Sequence, residues 1–455
     1  MAERTASDRA AAANDERHAA GRRLGRIALA MITRRRTIGL LAGAAVGAAG
    51  CADLADRRKV VRFWAVGREG EMAAELVRDF EALHPHIRVD VQKLPWTAAH
   101  EKLLTAYAGG TLPDLCQLGN TWIAEFTAID ALEPLDHAAQ ASRVTALDDY
   151  FQGFVEANRI AGVLYGVPWY VDTRLLFYRR DLLREAGFAA PPETWDEWLR
   201  MLAAVKELVG PQRYAILLPL NEFEPLLVLA LQQGEPLLRG DGEWGAFRSA
   251  GFRRALRFYN SMFERDLAPR MTNTQISNVW DEFGKGFFSF YISGPWNIAE
   301  FRRRLPPRLQ DAWMTAPMPG PHGPGVSIAG GASLVIFRSS ERKEEAWLLA
   351  EHLSQPDVQG RFYELTGDMP PRRTSWRAPV LAASSHARAF RIQLERVRSP
   401  PKVPEWERIA NEMKLAAERV VQGVLSVDEA VRGLDRRTDQ ILEKRRWMLQ
   451  RERAS

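Results

Sequence analysis

Cysteine is nearly absent: Cys51 and Cys116 are the only two in 455 residues, so no framework of disulfides can hold this chain together. Long apolar runs are missing as well. The uncharged stretch Thr37–Gly50 falls short of the roughly 20 apolar residues that a membrane-crossing helix needs. Nor is there a real excess of one charge. The formal net charge is +5, but residues 1–36 alone carry nine Arg against four acids, and from residue 37 onward 53 basic residues face 53 acidic ones. A basic nucleic-acid-binding surface is therefore not expected. HExxH, GxSxG and GxxxxGK[ST] do not occur, and the eight His are scattered, with His84-Pro85-His86 reading as a surface turn. Zinc, nucleophile-elbow and P-loop chemistry have no support, and neither a metal nor a cofactor is expected.

What is present begins with a signal. Arginines at 34–36, then the small and apolar residues from Thr37 to Gly50, then Cys51, follow the order of an export segment. Ala48-Ala49-Gly50-Cys51 resembles a lipoprotein box, although Ala48 stands where such boxes usually carry Leu, and it makes Cys51 the expected lipidation site. The preceding Arg pair resembles a twin-arginine signal. Residues 1–30 show no apolar period, and Met31, just before the signal, is the expected true start; the alternative is a long n-region. Cys116, in an apolar run, is expected to be buried.

From Val60 the pattern becomes regular. VVRFWAV predicts a buried strand, and MAAELVRDFEALHP predicts a helix with Met72, Leu76, Phe80 and Leu83 on one face. IRVDVQKL, AHEKLLTAYAGG and PDLCQLG continue as strand, helix and strand, giving βαβαβ and a parallel sheet. The apolar LYGVPWYVDTRLLFYRR introduces a second α/β unit. Thr194–Glu197 and Ser426–Glu429 have the spacing of capping boxes, and Leu434, Ile441 and Leu442 are predicted to face inward. The runs Arg302–Arg304 and Arg445–Arg446 read as solvated helix faces or partner contacts.

The 14 Trp are placed unevenly, and Trp64, Trp122, Trp169 and Trp296 fall at strand ends and turns beside polar or Gly residues. Strand ends of an open α/β sheet are where ligands bind, and a Trp face suits a sugar ring. Trp195, Trp198 and Trp347, within helix patterns, are assigned to the core. The ordered series VVRFWAVGREGE, AYAGGTLPDLCQLG, YGVPWYVDTRLLFYRRDLLREAGFAAPPETWDEW, GKGFFSFYISGPWN, SIAGGASLVIF and SQPDVQGRFYELTGDMPPRR resembles the extracellular solute-binding proteins of bacterial ABC importers, the maltose-binding type. The match covers about residues 59 to 445.

That resemblance implies a two-lobed periplasmic-binding-protein fold (type II), each lobe a sheet flanked by helices, with the ligand in the cleft between them. It places the export region in 1–50, a lipid-anchored linker in 51–58, one lobe in 59–170 with 332–368, and the other in 171–331 with 369–455. Transferred residue by residue, it puts Trp64, Arg68 and Glu69 after the first strand at the cleft, with Gly67 beside them, followed by Asn120, Thr121 and Trp122. Trp169, Tyr170 and Asp172 lie at the first crossing and Asn221 and Glu222 in the second lobe. Trp296 and Asn297 follow, then Gly330 and Gly331 at a later crossing, and Arg372, with Arg373 as the competing assignment. The implied partners are a sugar, the transmembrane permease subunits, and the membrane through lipid on Cys51, outside the cytoplasmic membrane or in the periplasm, with the protein a monomer. The competing classes are a secreted glycoside hydrolase using Asp172, Glu222 and Glu224, and a binding protein that serves a sensor.

Overall fold

The computed structural model describes residues 58–454. The export segment and Cys51 lie outside them. The βαβαβ start predicted from the sequence is β1 (Lys59–Val66), α1 (Gly67–Leu83), β2 (Ile87–Leu94), α2 (Trp96–Ala108) and β3 (Leu115–Gly119), with β2 and β3 both parallel to β1. In α1 the buried stripe is Ala73, Leu76, Val77 and Phe80. Leu83, predicted to share it, is 66% exposed, because the helix ends there and the last turn runs past the sheet.

The run LYGVPWYVDTRLLFYRR holds two strands, β4 (Val167–Asp172) and β5 (Leu175–Arg179), and they belong to different sheets. Thr173-Arg174 between them is the first crossing. Then come α3 (Trp195–Val209), β6 (Tyr214–Leu217), α4 (Glu224–Leu231), α5 (Ala250–Glu264), β7 (Phe288–Ser293), α6 (Trp296–Arg304) and β8 (Trp313–Ala316). The chain crosses back to β9 (Gly330–Ile336), α7 (Lys343–Leu353) and α8 (Pro356–Thr366), and after a third crossing ends on α9 (Trp406–Val421), α10 (Val427–Ile441) and a terminal helix Glu443–Ala454. Both predicted capping boxes are made, at the starts of α3 and α10.

The first sheet has the order β2-β1-β3-β9-β4, with β9 antiparallel to both neighbours; the second is β8-β5-β7-β6. Each is packed against helices, as apolar strands buried on both faces require. The first core gathers Phe63, Phe80, Trp169 and Phe362. The second lobe is filled by Trp198, Phe252, Trp406 and Val431 on one side of its sheet and by Phe177, Phe301 and Trp313 on the other. Trp195 and Trp198 are buried as expected, Trp347 packs partly buried against the first core, and Leu434, Ile441 and Leu442 face inward. Cys116 is fully buried, and burial pushes its thiol far above the ordinary range, which makes it an inert packing group.

Gly330 and Gly331 open β9 where it pairs with the end of β4. A Cβ on Gly331, at φ +115°, would lie 2.4 Å from the Tyr170 carbonyl oxygen, and one on Gly330 would lie 2.5 Å from that of Asp172. The glycines let two crossing strands touch.

Candidate functional site

A cavity of about 530 Å³ opens between the lobes. The first lobe contributes Arg68, Glu69, Trp96, Tyr170, Asp172, Thr366 and Asp368; the second contributes Trp296, Ala299, Glu300 and Arg303. A second compartment of about 350 Å³ shares Trp96, Tyr170 and Asp172 with the first and adds Asn120, Thr121, Trp122, Arg174, Phe223, Glu224, Gly330 and Gly331. The two share a wall and form one cleft.

Its residues sit where the fold turns. β1 ends at Val66, and the chain enters α1 through Gly67 at φ +66°, which brings Glu69 back over the strand end. A Cβ at Gly67 would lie 2.7 Å from both Glu69 Oε2 and Trp96 Nε1, so only glycine fits beneath that pair. Along β4 alternate side chains face opposite ways, so Tyr170 and Asp172 point into the cleft together. At the crossing, Arg174 donates from Nη1 to Asp172 Oδ1 and from Nη2 to Glu224 Oε1 at 2.8 Å, which ties the end of the first sheet to the start of α4. Its guanidinium lies 4.9 Å from the centre of the Trp296 ring. Trp96 meets Trp122 edge-on at 5.7 Å on the first-lobe wall, and Trp296 stands on the opposite wall.

The polar groups are mainly acids. Burial raises Glu69, Asp172 and Asp368 above the ordinary carboxylate range, Asp368 furthest and Glu69 acting on it next; Arg174 opposes the rise at Asp172. Asn120 gives its Oδ1 to the Ser333 hydroxyl at 2.8 Å and leaves its buried Nδ2 without a protein partner. The cleft thus offers flat apolar faces and several acceptors, which suits a polyhydroxylated ring.

Several sequence expectations are corrected. Trp169 is fully buried, on the opposite face of β4, stacked at 4.5 Å on Phe362 of α8. Trp64 packs into the first lobe beneath Lys102 of α2. Asn297 is buried, accepting from Trp280 Nε1 at 2.7 Å and donating to the Ser293 hydroxyl at 2.6 Å. Arg372 is buried on Asp149 Oδ2 at 2.9 Å and the carbonyls of Val144 and Ser354, and Arg373 pairs with Glu395. Asn221 exchanges hydrogen bonds with Asn273 on a surface loop. Glu222 stands behind Glu224, not on the cleft wall, with its carboxyl pushed up to about 7 by burial first and by Glu224 second.

Sequence reasoning missed Trp96, Arg174, Glu224 as a wall residue, and Asp368. Trp96 carried a readable signal, a Pro-Trp pair just beyond a predicted strand. Asp368 carried none, because it reaches the cleft only through the third crossing.

Two lobes joined by crossings around a cleft define a binding protein of the periplasmic type. The chain matches the family of bacterial extracellular solute-binding proteins over residues 75–389, and it belongs to that family, which binds solutes and is not enzymatic. It is 57% identical to a solved structure of the sugar-binding protein MalE from the phytopathogen Xanthomonas citri, with a TM-score of 0.84 over 86% of this chain and 99% of that one. An ABC transporter solute-binding protein from Thermotoga lettingae, solved with α-D-tagatose, is 26% identical at a TM-score of 0.72, covering 84% of this chain and 100% of that one. A putative binding protein of Brucella abortus is 28% identical, covering 91% of this chain and 100% of its own length.

Proposed function

We propose that the chain is the extracytoplasmic sugar-binding subunit of an ABC importer, which captures an oligosaccharide by closing its lobes and delivers it to a permease. The observation that carries the reading is the cleft itself: Trp96 on one wall and Trp296 on the other, with Glu69, Tyr170 and Asp172 between them. The likeness to the MalE sugar-binding protein supports it, and the shared wall of the two compartments favours a ligand of more than one ring. The ligand set is Arg68, Glu69, Asn120, Thr121, Trp122, Tyr170, Asp172 and Trp296, enlarged by Trp96, Glu224 and Asp368. A ligand closes the lobes only by its preference for the closed form.

The lobe division proposed is 59–170 with 332–368 and 171–331 with 369–455, and the sheets favour extending the first lobe by the last two residues of β4 and the first two of β9. Export with lipid attachment at Cys51, and a monomer in solution, complete the proposal. No helix among the described residues is long and apolar enough to cross a membrane. Tryptophan fluorescence during titration with maltose, maltotriose and monosaccharides tests the reading. A saturable change with one of them is expected; a flat signal with all, in a folded protein, would reject sugar as the ligand class.

A further inference from the structure

Trp96 opens α2 and is 40% exposed, and the start of that helix has no side-chain cap to hold it. One turn further on, His100 reaches across to the neighbouring stretch of wall. Its ring lies 5.0 Å from that of Trp122 and meets Phe126 edge-on at 6.2 Å, and its Nε2 is 2.6 Å from Oε2 of Glu125. Glu125 and Phe126 belong to the short helix Ile123–Ala128, which Trp122 leads into. The spacing explains the meeting: residues four apart share a helix face, so Trp96 and His100 stand together on α2, and Trp122 and Phe126 face them. At the far end of α2 the Tyr107 hydroxyl donates to the Ile129 carbonyl at 2.5 Å. The two helices are thus tied at both ends, and the tie beside the cleft is the one through His100.

We propose that His100 and Glu125 are a pair of positioning residues: by clasping α2 to the short helix they set the Trp96–Trp122 pair that the cleft presents to a sugar. Neither lines the two compartments, so they act through the indoles. The role in sugar capture rests on the function proposed above; the contacts do not. The hydrogen bond to Glu125 raises His100 above the ordinary imidazole range, against the cost of its burial, and the charges of Glu125, of Glu407 at the start of α9 and of Glu101 on its own helix add to the rise. Up to that raised midpoint the clasp is an ion pair. Above it the bond is weaker, because a neutral ring can still donate from Nε2 but brings no charge.

Two substitutions separate the bond from the packing. His100→Phe keeps a ring against Trp122 and Phe126 and removes the bond; Glu125→Gln keeps an acceptor and removes the charge. Histidine NMR of the unlipidated chain from Ala52, with His100→Phe to assign the signal, gives the His100 midpoint. Below it the parent should bind maltose about threefold more tightly than Glu125→Gln, and above it the gap should narrow. Comparing the two chains at each pH cancels the titration of Glu69, Asp172 and Asp368, which both retain. In a Trp122→Ala background His100→Phe should cost less affinity than it does in the parent, since both changes act on one wall. The near-UV circular dichroism that Trp96 and Trp122 share, read as the difference between each chain and its Trp96→Phe counterpart, should weaken in His100→Phe and Glu125→Gln without any sugar present. Unchanged dichroism in the folded variants overturns the proposal, as does a parent-to-Glu125→Gln affinity ratio that is the same on both sides of the His100 midpoint, or full additivity with Trp122→Ala. If the dichroism weakens but the parent binds no maltose, the clasp stands and its sugar role falls with the proposed function.

Discussion

Trp169 and Trp296 looked equivalent in the sequence, each in a Pro-Trp pair, and the fold gives them opposite tasks. Trp296→Ala should leave the melting temperature nearly unchanged and cost about 1 to 3 kcal/mol of sugar binding, from lost ring contact and buried area. Trp169→Ala should destabilise the first lobe by about 3 to 5 kcal/mol, because it empties a site stacked on Phe362. Affinities and denaturation curves of the two variants check both. Glu222 supplies a pH test. Its folded carboxyl is pushed up to about 7, above the 4.5 of the free group, so the folded state holds the proton more tightly than the unfolded state does. The stabilisation is complete below about pH 4.5 and is lost as pH rises through 7. Glu222→Gln should therefore stabilise the protein at pH 8 by about 2 to 3 kcal/mol relative to pH 5. Urea denaturation at the two pH values checks it, and an equal effect at both would contradict the assignment.

At the scale of elements, the crossings govern what the cleft can be. Gly331→Ala combines a strained φ of +115° with a Cβ 2.4 Å from a carbonyl oxygen that belongs to β4. A loss of about 2 kcal/mol or more is expected, read by calorimetric unfolding. These junctions also mark where the sequence stopped being legible. The βαβαβ start, both capping boxes and the inward faces of α3 and α10 could be read because local spacing determines them. The residue pattern alone does not divide the run from Val167 to Arg179, because β4 and β5 are both apolar and only the polar Asp172-Thr173-Arg174 hints that the chain changes sheets; the crossing there was supplied by the family resemblance. Glu69, Tyr170 and Asp172 were named through the family resemblance, and strand alternation along β4 is what separates Tyr170 and Asp172 from Trp169. Arg372 and Asn297 were misplaced because an Arg or Asn beside a turn reads alike whether it meets a ligand or the protein's own polar groups, and the Arg372 partner Asp149 lies 223 residues away. Trp96 was the avoidable miss.

For the whole molecule, the apparent basicity of the chain dissolves once residues 1–36 are set aside, leaving a charge-balanced binding protein whose cleft sets Glu69, Asp172, Glu224 and Asp368 beside Arg68 and Arg174. If Cys51 carries lipid, Cys51→Ser should move the protein from the membrane fraction to the soluble fraction, and an unchanged distribution would remove the anchor. Arg174 links the end of β4 to α4 across the first crossing, while Lys402 donates to the carbonyls of Glu156 and Arg159 at 2.9 and 2.8 Å on the far side of the third. Closure has to preserve or exchange these bonds, as hinged lobes do. The most direct test of sugar capture is calorimetric titration of the unlipidated chain from Ala52 with mono-, di- and trisaccharides, the sugar being recovered and analysed afterwards. Tight binding of one sugar, returned unaltered and weakened by Trp296→Ala, is the expected result. No heat with any sugar from a folded protein would contradict the central claim.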